Sequence, residues 1–376
     1  MDSLTQAALG AAVGTAVLGR RAGPKAAIWG AVCGTLPDLD VLWTHGDPVK
    51  DFTFHRAESH ALFYLTLASP LLGWLLARLH RDVAALGRWI LLVWLALVTH
   101  PLLDAFTIYG TQLLLPFSDY PVGLGSVFII DPLYTVPLLA GTGVALAWRR
   151  NRPDSAARAN AAGLLLSTLY LGWTLAAQSH VEGTVHRALA ATPIESGRVL
   201  VTPLPFNTLL WRVVVMDDAG YHEGFVSLFD QGGRVELVRH ASRTDLLAPL
   251  GEEWNVRRLA WFSKGFYGVR AEPAAVATVV GSAGTVAQLL GAVPVAAAAS
   301  TTPGESGERV VMSDLRMGQT PFFAFGFVVG AVDAGDVVPL ESLQVPTRRP
   351  PADALGWMWR RIWREDAGPP PGMPAG

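Results

Sequence analysis

An apolar run between Trp89 and Phe106 carries no Lys or Arg yet contains a histidine and an aspartate, and this combination constrains the chain more than any other feature. Within it, VTHPLLD places His100 and Asp104 four positions apart. In an α-helix that is about 40° around the axis, so both side chains reach the same point. An imidazole and a carboxylate sharing one face are a ready pair of metal ligands. Lipid penalises a mid-membrane Asp by roughly 2.5 to 3.5 kcal/mol on insertion scales, so the pair demands partners.

Five further runs resemble this one. Ser3 to Gly19 and Ala26 to Pro37 are short and rich in Ala and Gly. In them Gly10, Gly14, Gly30 and Gly34 recur at spacings of four, which predicts a tightly packed helical pair. Ala61 to Ala77, Pro132 to Trp148 and Ala159 to Ser179 are richer in Leu and Trp and read as transmembrane helices. The expectation is a membrane α-helical bundle of about six helices, the first two short, over residues 1–180.

Arg and Lys orient the bundle. Arg20, Arg21 and Lys25 follow the first helix, Arg78, Arg81 and Arg88 the third, and Arg149, Arg150, Arg152 and Arg158 the fifth. The alternate connections hold only Lys50 and Arg56. The basic connections therefore read as cytoplasmic. Asp2 stands where a secretory signal would carry a basic residue, so the N-terminus is expected to stay in the mature protein.

Beyond Glu182 the pattern changes to short β-branched and aromatic runs: Arg198 to Val201, Leu209 to Met216, Phe225 to Phe229, Val235 to Val238, Arg258 to Phe262, Gly265 to Val269, Val310 to Asp314 and Phe322 to Val329. They predict a β-rich soluble domain over 181–345, placed outside the cytoplasm by the topology, with an Ala, Gly, Ser and Thr dominated insertion at 272–305. Residues 346–376 read as an amphipathic helix suited to a membrane surface, with Leu355, Trp359, Ile362 and Trp363 on one side, and then a disordered Pro-rich tail. The composition agrees with this mixture, at 51% hydrophobic and 16% charged residues. A net charge of −2 gives no footprint for nucleic acid.

This topology gathers Asp38, Asp40, His55, His60, His100, Asp104 and Asp131 at one end of the bundle, with Arg56 as the nearby cation. Converging carboxylates in a low dielectric must protonate or hold a cation, and neutral imidazoles favour the cation. Mixed His and Asp ligation suits Zn²⁺ or another first-row divalent metal, as one ion or two. Each piece has an ordinary alternative: PDLD as a helix cap, a lone intramembrane His as an interhelical hydrogen-bonder, Pro101 as a kink. His45, His80, His180, His186, His222 and His240 lie outside the cluster and read as loop or surface residues, although His180 and His186 fall on the same side of the membrane as the cluster.

MDSLTQAALGAAVG, GTLPDLD, HRAESH, and HPLLD followed by LLPF together resemble the YdjM-like (YbcI-type) family of bacterial inner-membrane proteins, classed as metal-dependent hydrolases. The resemblance covers roughly residues 1 to 180, and WFSKGFYGV and VVMSDLRMG look like the C-terminal domain of longer members. It departs at Ser59 and Ala61, where the family more often reads Thr and Ser around the second His. It implies a multi-pass protein of the bacterial inner membrane and a metal-activated water. A carboxylate that does not ligate, best Glu58 or else one of the Asp residues, would take the proton, and Arg56 would neutralise an anionic group on a lipid or phosphoester substrate entering from the bilayer. The rival readings are an intramembrane cation transporter and a structural or regulatory membrane protein stapled by its metal.

Overall fold

The computed structural model describes residues 1–192, 194, 197–231, 233–273 and 307–374. The chain divides into two compact units. One comprises Met1–Asp40, Arg56–Ser179 and Pro203–Thr208, and the other Val41–His55, His180–Thr202 and Leu209–Gly376.

The N-terminal region is helical: α1 (Ser3–Ala22), α2 (Pro24–Thr35), α3 (Pro48–Phe54), α4 (Leu62–Leu79), α5 (Leu86–Asp104), α6 (Pro132–Trp148) and α7 (Pro153–Leu189). Short 3-10 turns occupy Pro37–Leu42, Glu58–His60 and Val83–Ala85. The boundaries follow local chemistry. The Asp2 carboxylate caps α1 by accepting from the Leu4 and Thr5 amides at 3.1 Å. Gly23, at φ 58°, ends α1, and Pro24 opens α2.

The small-residue stripes do what their spacing predicts. A Cβ on Gly10 would fall on the Gly30 carbonyl oxygen, and one on Gly14 on that of Ala26. The two backbones are therefore in direct contact. Trp89, Leu92, Val93, Ala96 and Leu97 of α5 form a core with Leu18, Ala26, Cys33 and Leu65. A second core joins Leu9, Ala12 and Val13 of α1 to Leu103, Tyr134 and Leu138.

Among the described residues two helical segments are long and apolar enough to cross a membrane, Leu62–Leu79 and Val83–Asp104, and Pro132–Trp148 is a shorter apolar helix. Six spans are thus more than helix length and composition support. The α2 helix has only 12 residues. In α7 the polar positions Asn160, Ser167, Thr168, Thr174 and Gln178 dilute the apolar stretch. Leu67, Leu71 and Leu79 of α4 and Leu133, Val136 and Leu139 of α6 nevertheless point outward, as apolar side chains facing lipid would.

The C-terminal part is β-rich. One antiparallel sheet has the order β1 (Val199–Pro203), β2 (Leu210–Asp217), β3 (Gly220–Ser227), β4 (Leu237–Ala241). The other runs β10 (Asp336–Gln344), β9 (Gly326–Asp333), β6 (Glu308–Asp314), β5 (Tyr267–Pro273), and β7 (Gly318–Gln319) pairs with β8 (Phe322–Phe323). The expected strand at Arg258 to Phe262 is instead the end of helix α8 (Trp254–Phe262). Val256, Leu259 and Phe262 are its buried residues, a helical spacing that a five-residue window cannot distinguish from a strand. Phe52 of α3 packs against Phe262 and Phe327, with ring centroids 5.0 and 5.3 Å apart, which places 41–55 with this unit.

The amphipathic helix is α9 (Ala354–Trp363). Leu355, Trp359 and Trp363 are exposed, but Ile362 is buried, and its carbonyl accepts a 2.7 Å hydrogen bond from Ser227 Oγ. Arg361 pairs with Asp230 at 2.7 Å. The tail departs from the expected disorder, since Trp357 Nε1 donates to the Gly368 carbonyl at 3.0 Å and Gly372 sits against Phe322. Nearly all of the insertion expected at 272–305 lies outside the described residues.

Candidate metal centre

Three turns of chain converge at the end of the helical unit where α1 begins and α5 ends. Pro37 bars continuation of α2, and the 3-10 turn it starts presents Asp38. The turn Glu58–His60 presents His60, and the last turn of α5 presents His100 and Asp104. These four could hold a metal ion, with one ligand atom from each lying within 4.8 Å of all the others. His60, His100 and Asp104 are fully buried, while the Asp38 side chain is 21% exposed.

The ring nitrogens make the case. His100 Nδ1 lies 2.6 Å from the Gly34 carbonyl, which can only accept, so Nδ1 carries a proton and the neutral ring has its lone pair on Nε2. Ser59 Oγ donates to Asp40 Oδ2 at 2.7 Å and is therefore the acceptor for His60 Nδ1 at 2.8 Å. His60 Nε2 is likewise left with a lone pair. The two Nε2 atoms face each other at 3.1 Å. Asp38 Oδ1 lies 3.3 Å from His100 Nε2 and 3.6 Å from His60 Nε2, and Asp104 Oδ2 lies 3.5 and 3.4 Å from them. Asp104 Oδ2 is buried and accepts no hydrogen bond. Two lone pairs and two carboxylate oxygens aimed at one point repel unless a proton or a cation sits among them, so the donor set fits a divalent ion.

The surroundings are as specific as the ligands. Arg56 is buried, with Nε 3.3 Å from Asp104 Oδ2 and its guanidinium 5.0 Å over the Tyr109 ring. Its φ of 66° is a left-handed conformation costing on the order of 1 kcal/mol or more. The turn is held by Asp40 Oδ2, which accepts from the Arg56 amide at 3.0 Å, and by the Gln112 amide, which donates to the Arg56 carbonyl at 3.0 Å. Gln6 Nε2 donates to Asp104 Oδ1 at 3.0 Å and to the His100 carbonyl at 3.2 Å. The Met1 amine also pairs with Asp104 Oδ1.

The other expected site residues stand elsewhere. Asp40 is one layer out, orienting His60 through Ser59. Asp131 is buried as the cap of α6, accepting from the Leu133 amide at 2.9 Å and the Tyr170 hydroxyl at 2.8 Å. His55 caps α3 and belongs to the second unit. Glu58 is exposed. His240, expected at a surface, is buried on β4, where its ring lies 5.2 Å from that of Tyr221. Sequence reasoning missed Gln6, although a single amide in an Ala and Gly helix was a usable signal. Thr107 and Tyr109, which hold Arg56, left none.

Residues 1–181 match the family model described as YdjM inner membrane protein. The Bacillus subtilis (strain 168) protein named "Uncharacterized protein YfhP" is 26% identical over 225 residues, which are 56% of this chain and 64% of that protein. The chain thus spans less than two thirds of that relative's length. No solved structure matches the chain. The helical region that carries the Asp38, His60, His100 and Asp104 cluster, residues 1–181, is the part of this chain that matches the YdjM inner membrane protein family.

Proposed function

We propose that this protein is a membrane-bound, metal-dependent hydrolase whose His and Asp site faces the extracytoplasmic side and acts on a lipid or phosphoester. The observation that carries the reading is the pair of Nε2 lone pairs 3.1 Å apart, flanked by Asp38 and the unbonded Asp104 Oδ2. Asp38, His60, His100 and Asp104 are the proposed ligands, and zinc is the metal the donor set suits best. A bound divalent metal supplies an acidified water and polarises the scissile bond. Asp40 and Ser59 keep His60 in the tautomer that ligates, and Gly34 does the same for His100. Arg56 balances Asp104 and stands ready for an anionic oxygen of the substrate. The partly exposed side of the cluster is at Asp38, so substrate enters there.

A structural metal is the second reading, favoured by the complete burial of His60, His100 and Asp104. Elemental analysis of detergent-purified protein from metal-supplemented growth should find metal, lost in His60→Ala and His100→Ala. Metal-free parent protein would remove the site. Turnover of a phosphodiester or phospholipid by the parent but not by His100→Ala supports the enzyme, and metal without turnover across such a screen supports the staple. For the orientation, reporter fusions after Arg81 and Arg152 should report cytoplasm, and fusions after Asp119 and in the β-rich domain the outer side. A cytoplasmic β-rich domain would overturn the outward-facing site.

A further inference from the structure

At the opposite end of the same helices lies a cavity of about 990 Å³, bounded by the end of α1, the starts of α2, α5 and α7, and the end of α6. Arg20, Arg21, Arg88, Arg149 and Arg150 line it, with Asp154 as the acidic lining residue. Arg20 is paired with Asp154 at 2.8 Å and Arg21 with Asp82 at 2.6 Å. Among the described residues Arg88, Arg149 and Arg150 have no acidic partner, and Arg149 turns one guanidinium nitrogen to the Leu146 carbonyl at 2.9 Å. The inner wall is apolar, formed by Leu18, Leu91, Ala145, Leu146, Ala161 and Leu164. Thr15, which also lines the cavity, keeps its hydroxyl buried without a hydrogen-bond partner.

We propose that this cavity binds one anionic phospholipid of the surrounding bilayer. Three unbalanced guanidinium groups at its mouth suit a phosphate diester. The apolar wall suits the glycerol backbone and the first methylenes of the acyl chains, and Thr15 offers a hydroxyl to an ester carbonyl. A free phosphate would leave most of 990 Å³ and all of the apolar wall uncovered, so the lipid is the better occupant. The site is separate from the His and Asp cluster, and its test does not depend on metal or turnover.

The test uses the full chain in detergent, with phosphatidylglycerol, phosphatidylcholine and inorganic phosphate as probes. Native mass spectrometry should show phosphatidylglycerol retained in preference to phosphatidylcholine, and its addition should raise the melting temperature. Each arginine near a membrane surface is worth roughly five-fold in affinity, so R88Q/R149Q/R150Q should lose the preference by about a hundred-fold. The corresponding Lys variant should keep most of it, which separates charge from folding. If the triple Gln variant does not fold, each single substitution should still lower retention about five-fold. Equal retention of both lipids, an unchanged preference in the Gln variants, or full displacement by inorganic phosphate would each overturn the proposal.

Discussion

The two ends of the helical unit are made from the same helices and differ in how they handle charge. At the His and Asp end, the two rings and Asp104 are held by neighbouring side chains and by backbone: Gly34 fixes one ring, Ser59 and Asp40 fix the other, and Gln6 grips Asp104. At the arginine end the charges ride on long, exposed side chains, with Arg20 71% accessible and paired to an equally open Asp154. The first arrangement selects a ligand by position and the second by field. Damage at the first end should therefore be local and severe, while damage at the second should be spread over several residues and screened by salt.

The largest effect is expected at Asp104. Asp104→Ala leaves Arg56 buried beside two lone pairs, and breaking a buried pair typically costs about 3–5 kcal/mol. Thermal unfolding of the detergent-solubilised protein should show that loss together with loss of metal, whereas Arg150→Gln in lipid-free detergent should move the midpoint very little. Comparable losses in both would erase the distinction between the ends.

Next is the α1–α2 contact, which positions the Gly34 carbonyl. In Gly30→Ala the new methyl meets the Gly10 carbonyl, and overpacking of this kind costs about 1–3 kcal/mol. Gly143→Ala on α6 meets nothing within 4 Å and should be neutral or slightly stabilising. Parallel melting curves check the pair, and metal content should fall only for Gly30→Ala. Smaller still in stability, Ser59→Ala should weaken metal binding about 10–100-fold in a chelator competition while leaving the metal-free melting temperature nearly unchanged.

The sequence disclosed the parts of this site that depend on helical periodicity. His100 and Asp104 needed only an i, i+4 count, and the glycine stripes only a spacing of four. What it concealed depends on the third dimension. Nothing local in PDLD separates Asp38, which faces the rings, from Asp40, which faces away to Ser59 and Arg56. Asp131 looked equivalent to Asp104 until its cap and its Tyr170 partner were seen. In the β-rich part, α8 was misread because its buried residues are short-range and mixed with Trp and Arg. The β10 strand escaped because most of its side chains are exposed or half-buried, leaving no apolar alternation to detect. The helix α3 escaped because its apolar residues meet aromatic partners two hundred residues away.

The smallest expected effect tests the arginine end by acid. Arg21 donates to Asp82 at 2.6 and 3.0 Å, and these hydrogen bonds, aided by one from Trp89 and opposed by slight burial, hold the Asp82 carboxyl below its ordinary value. Between that ordinary value, about 3.9, and the lowered one, the unfolded chain binds a proton that the folded chain does not. The pair's contribution is therefore complete above about pH 5 and disappears as the pH falls through the lowered value. With metal chelated throughout, so that the other end is equal in both proteins, the difference in melting temperature between the parent and Arg21→Gln should be small and flat at neutral pH. It should then shrink toward zero on acidification, and should shrink also in about 1 M salt, where screening acts within roughly 3 Å. A difference that grows with acid, or that ignores salt, would mean that Arg21 does not act through its charge on Asp82.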